Sequence, residues 1–96
     1  MDLRQIKKKL VTEKKVLVTR YNVKAISIFG SYARGEQKKS SDLDLLVKFN
    51  DHATLFDLVG LGDYLEKRLR QKVDIVSEGG VRRELKESIL DEAVRV

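Results

Sequence analysis

Residues 41–49, with the sequence SDLDLLVKF, place two acidic residues at the start of an apolar run. The run predicts a β-strand from about Asp42 to Phe49, and in a strand residues i and i+2 point to the same face. Asp42 and Asp44 would then lie side by side, with their Cα atoms roughly 6–7 Å apart. Two carboxylates at that separation repel each other by about 2 kcal/mol at an effective dielectric constant of about 20. The pattern therefore predicts a bound cation, and Mg²⁺, which prefers oxygen ligands, is the natural one.

A short turn with the sequence GSYARG, residues 30–35, precedes the acidic pair, with ten residues between Ser31 and Asp42. Gly30 ends a predicted strand, Val23–Phe29, and its missing Cβ would let the backbone approach a ligand. Ser31 would begin a helical turn whose free N–H groups, together with its hydroxyl, can bind a phosphate. Arg34 lies on the same side of that turn, where its guanidinium could reach phosphate oxygens or form a structural ion pair. The turn therefore predicts a nucleotide-binding element.

A third acidic residue, Asp74, lies inside a short predicted strand, Lys72–Ser77. An acid in the middle of an apolar run is out of place in a buried strand unless something compensates it. If this strand lies beside the second one, Asp74 joins Asp42 and Asp44 in one cluster. Three carboxylates at one sheet edge would hold two Mg²⁺ ions, which orient a triphosphate and lower the pKa of an attacking hydroxyl. Asp74 is then the candidate general base.

The rest of the chain is predicted to form helices. Apolar spacing predicts one helix from Leu3 to about Arg20, a second after the N-cap residue Thr54, and a last one from Val81 to about Val94. Asn22 is a plausible stop before the first strand. The order helix, strand, turn, strand, helix, strand, helix predicts an α+β fold (an α/β sandwich), a small mixed sheet of about three strands with helices packed on one side.

Composition sets the class of protein. A chain of 96 residues with 42% hydrophobic and 36% charged residues allows one globular domain, residues 1–96. No apolar run approaches a membrane span and no signal peptide is recognisable, so we expect no membrane association. The absence of cysteine excludes disulfides and thiolate metal sites and favours a cytoplasmic location. A single histidine, His52, argues against a zinc site or a Ser-His-Asp triad.

The net charge of +5 favours polyanionic partners in general. Twenty basic residues against fifteen acidic ones describe a mixed surface, as on solvated helices rich in lysine and glutamate. We therefore place a solvated charged surface ahead of a nucleic-acid footprint, and binding to nucleic acid is disfavoured.

The two motifs GSYARG and SDLDL, with the later strand acid Asp74, resemble the signature of the DNA polymerase β-like nucleotidyltransferases. They are similar in particular to the minimal nucleotidyltransferases (MNT) of prokaryotes, the antitoxins paired with HEPN toxins. The resemblance spans the whole chain, as one minimal nucleotidyltransferase domain over residues 1–96, and the key positions show no departure.

That resemblance implies the nucleotidyltransferase fold and Mg²⁺-dependent transfer of AMP from ATP to a hydroxyl acceptor. In the MNT branch it implies that the acceptor is a tyrosine of a HEPN toxin, which is silenced by adenylylation. It also implies the roles of six residues, which bind nucleotide (Gly30, Ser31, Arg34) or act as metal ligands and catalytic groups (Asp42, Asp44, Asp74).

Two other functions stay open on the sequence. The chain could be a non-catalytic antitoxin that neutralises its partner by complex formation, although an unused acidic triad would carry a repulsion cost. It could also transfer a nucleotide to a small molecule or to RNA. A chain of this length is expected to lack a second domain that could bind a large acceptor. A partner chain or a homodimer would then have to supply that surface.

Overall fold

The computed structural model describes all residues from Met1 to Val96. The chain forms five helices, four strands and one 3₁₀ turn. In chain order these elements are α1 (Leu3–Thr12), α2 (Lys14–Tyr21), β1 (Val23–Phe29), α3 (Ser31–Arg34), β2 (Leu43–Phe49), α4 (Leu55–Leu69), β3 (Val73–Ser77), the 3₁₀ turn (Glu78–Gly80), α5 (Arg83–Glu92) and β4 (Val94–Arg95).

The four strands form one mixed sheet in the order β3-β2-β1-β4. β1 is antiparallel to both of its neighbours, β2 and β4, whereas β2 and β3 are parallel. The predicted mixed α+β fold is confirmed, but three strands is one too few. Val94 and Arg95 pair with Ile28 and Ser27 and do not end the last helix. Ala93, with ψ of 143°, turns the chain into extended backbone, and a two-residue strand is too short to show a periodic pattern.

The predicted N-terminal helix is two helices, α1 and α2, which meet at Glu13. The Glu13 carboxylate accepts a hydrogen bond from the Tyr64 hydroxyl at 2.7 Å and pairs with Nε of Arg68 at 3.1 Å. Both partners belong to α4, 51 residues or more along the chain. The interruption therefore coincides with a tertiary contact. Asn22 ends α2 as predicted, in the left-handed conformation with φ of 59°.

Helix α4 begins at the predicted cap. The N–H of Thr54 donates to the Asp57 carboxylate at 2.9 Å, which closes the first turn. Gly60 inside this helix lies against the ring of Tyr21, and a Cβ there would be 3.0 Å from the ring carbon Cε1. Glycine thus lets α2 and α4 approach closely. None of the helices is both long enough and apolar enough to cross a membrane.

The main core lies on one face of the sheet, under α1, α2 and α4. Leu43, Leu45 and Val47 of β2 point into it, and all three are fully buried. Leu46 points to the opposite face because strand side chains alternate, yet it is also buried. That second face is covered by α5 and the 3₁₀ turn, which contact β1 and β2. The prediction of helices on one side only is therefore wrong.

Candidate active site

The beginnings of β2 and β3 bring the predicted acidic residues together. β3 lies beside β2 and runs parallel to it, with Asp74 in register with Asp44. Register partners on neighbouring strands lie about 4.8 Å apart with their side chains on the same face. Asp42 immediately precedes β2. The condition set by the sequence, that the third strand adjoins the second, is met.

The electrostatics of Asp44 show that these carboxylates act on one another. Burial raises the pKa of the Asp44 carboxyl, and the negative charges of Asp74 and Asp42 raise it further. The charge of Arg34 opposes them and lowers the same pKa. Asp42 and Asp74 are exposed, whereas Asp44 is partly buried. Like charges therefore crowd this end of the sheet, which costs free energy until a cation neutralises them.

The donor set suits Mg²⁺ in kind, since it consists of carboxylate oxygens alone. The side chains as placed do not form a finished site, because no three Asp, Glu or His groups lie close enough to share a metal ion. Asp42 and Asp74 are exposed, and a change of side-chain rotamer would have to bring their carboxylates to Asp44. Joint binding of two ions by the three aspartates stays a prediction.

The backbone at Gly30 passes directly against Asp44. Gly30 has φ of 73°, a conformation that side chains rarely adopt. A Cβ there would collide with the carboxylate of Asp44. Asp44 is close because it pairs with Phe29, the residue before Gly30, in the β1–β2 ladder. Glycine at this position is therefore required by the acidic residue itself. The role in nucleotide binding expected for Gly30 and Ser31 stays a prediction.

Ser31 starts α3, a single helical turn as predicted, with Gly30 as its N-cap. Gly35 ends the turn with φ of 71°. The turn connects β1 to the loop that leads back to Asp42, so Ser31 lies one residue from the glycine that contacts Asp44. The turn at Gly30 and Ser31 and the acidic residues are thus adjacent in space.

Arg34 is engaged in ion pairs. Its Nη1 lies 3.1 Å from Oε2 of Glu92, and its Nε lies 3.4 Å from Oε2 of Glu36. The alternative of an ion pair for Arg34 is therefore observed, and its contact with phosphate stays a prediction. Glu92 also accepts the N–H of Gly30 at 3.0 Å. That bond, and then the pairing with Arg34, lowers the pKa of Glu92.

Sequence reasoning missed Glu92, although a signal was present. Asp91 and Glu92 stand at the C-terminal end of α5, whose last turn contains no basic residue. Negative charge is unfavourable at the negative end of a helix dipole. Acids in that place suggest a tertiary contact that offsets the cost, and Glu92 has one.

The acidic end of the sheet lies outside the main cavities of the surface. None of the five main cavities is lined by Asp42, Asp44 or Asp74. A groove of about 590 Å³ runs along α3 instead, with Arg34 and the buried Tyr32 among its walls. Asp42 and Asp74 are themselves exposed, so an acceptor can reach them from solvent.

Comparison with known proteins identifies the family of this chain. The family model of the nucleotidyltransferase domain matches residues 3–96. A protein of Methanocaldococcus jannaschii, provisionally named a protein adenylyltransferase, is 43% identical over 96 residues, which is 100% of this chain and 99% of the relative. The protein adenylyltransferase MntA of Thermococcus cleftensis is 38% identical over 96 residues, covering 100% of this chain and 97% of the relative.

Solved structures agree with the fold. A structure described provisionally as a minimal nucleotidyltransferase superposes with a TM-score of 0.88 at 41% identity, covering 100% of this chain and 97% of the other. A chain from the complex of a tri-AMPylated Shewanella oneidensis HEPN toxin with its MNT antitoxin superposes with a TM-score of 0.63 at 21% identity, covering 91% and 70%. The second likeness shows the shared fold alone.

Proposed function

We propose, from the premise that this chain belongs to the nucleotidyltransferase domain family, that it transfers AMP from ATP to a hydroxyl group of a partner protein and that the transfer depends on Mg²⁺. Enzymatic nucleotidyl transfer is the activity of the family. The observation that carries the proposal is the parallel register of Asp44 with Asp74, beside a glycine turn pressed against Asp44. These two features bring the GSYARG turn, the SDLDL segment and Asp74 to one place.

In this proposal Asp42 and Asp44 would hold both metal ions, and Asp74 would hold one of them. Bound Mg²⁺ would neutralise the triphosphate and lower the pKa of the attacking hydroxyl. Asp74 is more exposed than its register partner Asp44, and it accepts the proton of the acceptor hydroxyl. The hydroxyl oxygen bonds to the α-phosphorus, the bond from that phosphorus to the β-phosphate oxygen breaks, and pyrophosphate leaves.

The triphosphate would lie on the turn formed by Gly30 and Ser31. The Arg34 guanidinium can add a contact, because Glu92 and Glu36 engage Nη1 and Nε and leave Nη2 out of both ion pairs. The pairing with Glu92, the less exposed of the two glutamates, orients the guanidinium before the nucleotide arrives, which favours directional contacts with phosphate oxygens.

The proposed partner is a HEPN toxin, with one of its tyrosines as acceptor. Three observations support this choice. The resemblance to the MNT proteins spans the chain, and the fold is that of a chain solved in complex with a tri-AMPylated HEPN toxin. The aspartates also line none of the five main cavities, which favours a second protein as the surface that encloses the acceptor. The single-domain organisation over residues 1–96 and the cytoplasmic location belong to this proposal as well.

The test is incubation with ATP labelled at the α-phosphate, Mg²⁺ and a HEPN protein encoded beside this chain. We expect label on the HEPN protein, a mass increase of one adenylate on tyrosine, and no label after addition of EDTA. The double variant Asp42→Asn plus Asp44→Asn should lose the transfer. Asp51→Asn, which removes an exposed acid after β2, is the matched control and should retain it.

Transfer that persists in the double variant would contradict the roles assigned to the aspartates. A double variant that still neutralises the toxin at equal expression would favour the antitoxin that acts by complex formation alone. Labelling of a small molecule or RNA, with the HEPN protein unlabelled, would move the acceptor to those classes.

A further inference from the structure

We propose that Glu92 is a positioning residue of the nucleotide site, which holds the Gly30 turn and the Arg34 guanidinium in place from the end of α5. The inference rests on the proposed function, because the site it serves is the proposed ATP site. It makes the C-terminal helix and strand part of that site.

A single carboxylate reaches both groups. Oε1 of Glu92 accepts the N–H of Gly30 at 3.0 Å and lies 3.3 Å from Nη1 of Arg34. Oε2 lies 3.1 Å from the same Nη1. Gly30 and Arg34 are 62 and 58 residues away along the chain, so only tertiary structure brings the carboxylate to them. Both are groups that the motif assigns to the nucleotide.

The sheet itself directs Glu92 to this place. β4 is antiparallel to β1, with Val94 opposite Ile28. Glu92 precedes Val94 by two residues and Gly30 follows Ile28 by two, so the pairing brings the end of α5 close to the end of β1. Helix α5 ends at Glu92 and therefore fixes the residue from its other side. The register therefore places Glu92 beside Gly30, and its partly exposed side-chain carboxylate makes the contact.

The consequence for the site follows from what Gly30 touches. Its backbone lies against the carboxylate of Asp44, and Ser31 is the next residue. If the Gly30 amide lost its acceptor, the turn could shift, and both Ser31 and the space around Asp44 would shift with it. Glu92 is 34% exposed on its side chain, against 65% for Glu36, the other partner of Arg34. Glu36 is therefore the natural control, since it pairs with Arg34 but not with Gly30.

The experiment compares Glu92→Ala, Glu92→Gln and Glu36→Ala by titration with a fluorescent ATP analogue and by steady-state transfer to the HEPN protein. For Glu92→Ala we expect weaker nucleotide binding and a higher KM for ATP, each by about tenfold, because the phosphate-binding groups lose their orientation. The kcat at saturating ATP should change by less than about threefold, since the aspartates remain. Glu36→Ala should stay within about twofold of the wild type.

Glu92→Gln supplies the rescue. Its amide oxygen can still accept the Gly30 N–H but lacks the charge that pairs with Arg34, so we expect a KM for ATP between those of the wild type and Glu92→Ala. If Glu92→Ala fails to fold, the KM for ATP of Glu92→Gln, compared with that of the wild type, tests the inference instead. A folded Glu92→Ala with unchanged KM and affinity for ATP would overturn the inference.

Tighter ATP binding by Glu92→Ala would also overturn it, because the carboxylate would then be competing with phosphate for the Gly30 amide and Arg34. Failure of the proposed function gives a different result: the wild type itself would bind no ATP and transfer no label. Wild-type activity with unaltered Glu92 variants contradicts this inference alone.

Discussion

Two clusters of charged side chains in this small protein are built in opposite ways. At the junction of α1 and α2, Glu13 is matched by the Tyr64 hydroxyl and the Arg68 guanidinium, which also lies 5.2 Å from the centre of the Tyr64 ring. At the start of β2 and β3, Asp44 faces Asp42 and Asp74, and the like charges raise its pKa. The first cluster is compensated within the chain and the second is not.

The difference separates a structural role from a functional one. A satisfied network ties helices together and needs no other molecule. Uncompensated carboxylates at one end of a sheet reduce the stability of the free protein and are suited to bind a cation that the chain does not contain. Arg34 and Glu92 lie between these cases, as a matched pair placed at the edge of the unmatched cluster.

The largest effect should come from the unmatched cluster. Asp44→Asn should reduce AMP transfer about a thousandfold or more, because it removes the central metal ligand and its charge. The measurement is the rate of label transfer to the HEPN protein at saturating ATP. Asp51→Asn should leave the rate unchanged, and an Asp44→Asn variant with more than about a tenth of wild-type activity would contradict the assignment.

Gly30→Ala should damage stability and activity together. A side chain at φ of 73° is strained, and its Cβ would collide with the Asp44 carboxylate. We expect a loss of about 1–3 kcal/mol in the free energy of unfolding, measured by denaturant titration. Gly79→Ala is the control, since open space surrounds Gly79 and its φ is ordinary. An equal effect of both substitutions would mean that the turn at Gly30 is no more constrained than a loop.

The matched cluster predicts the converse result. Tyr64→Phe keeps the ring but removes the hydroxyl that donates to Glu13, so the free energy of unfolding should fall by about 1 kcal/mol. The transfer rate and the KM for ATP should not change, because this cluster makes no contact with the site. Altered kinetics in Tyr64→Phe would show that the two clusters are coupled.

The smallest effect concerns pH. Because the pKa of Asp44 is raised in the folded state, ionisation of this carboxyl costs stability. The cost appears as pH rises past the unfolded-state pKa and is complete above the raised folded-state pKa. At pH 7 Asp44→Asn should therefore be more stable than the wild type, by less than about 1 kcal/mol since Asp44 is partly exposed. Below about pH 3, well under the ordinary pKa of an aspartate, the carboxyl is protonated in both states and the difference should vanish. Thermal melts of the two proteins across this pH range measure the difference. A stability difference that grows toward low pH would contradict a raised pKa for Asp44.

Local patterns predicted most of the elements. The bounds of β1 and α3, the cap at Thr54 and the stop at Asn22 follow from turn chemistry and from the spacing of apolar residues. The division at Glu13 was not predictable, because its partners lie 51 residues or more away. The final helix was predicted too long, since the pairing of Val94 with Ile28 overrides an apolar spacing that fits a helix equally well.

The sequence by itself determined the chemical groups of the site: a glycine-serine turn before one strand, two acids at the start of the next, and a third acid in an apolar run. These depend on residue type and on spacings of a few residues, which periodicity and turn geometry translate directly into local structure. Only the tertiary structure decided that Asp74 stands beside Asp44 and that Glu92 reaches Gly30. Strand order and register join residues 30 and 62 positions apart, and they are set by the packing of the whole sheet, which no local pattern encodes.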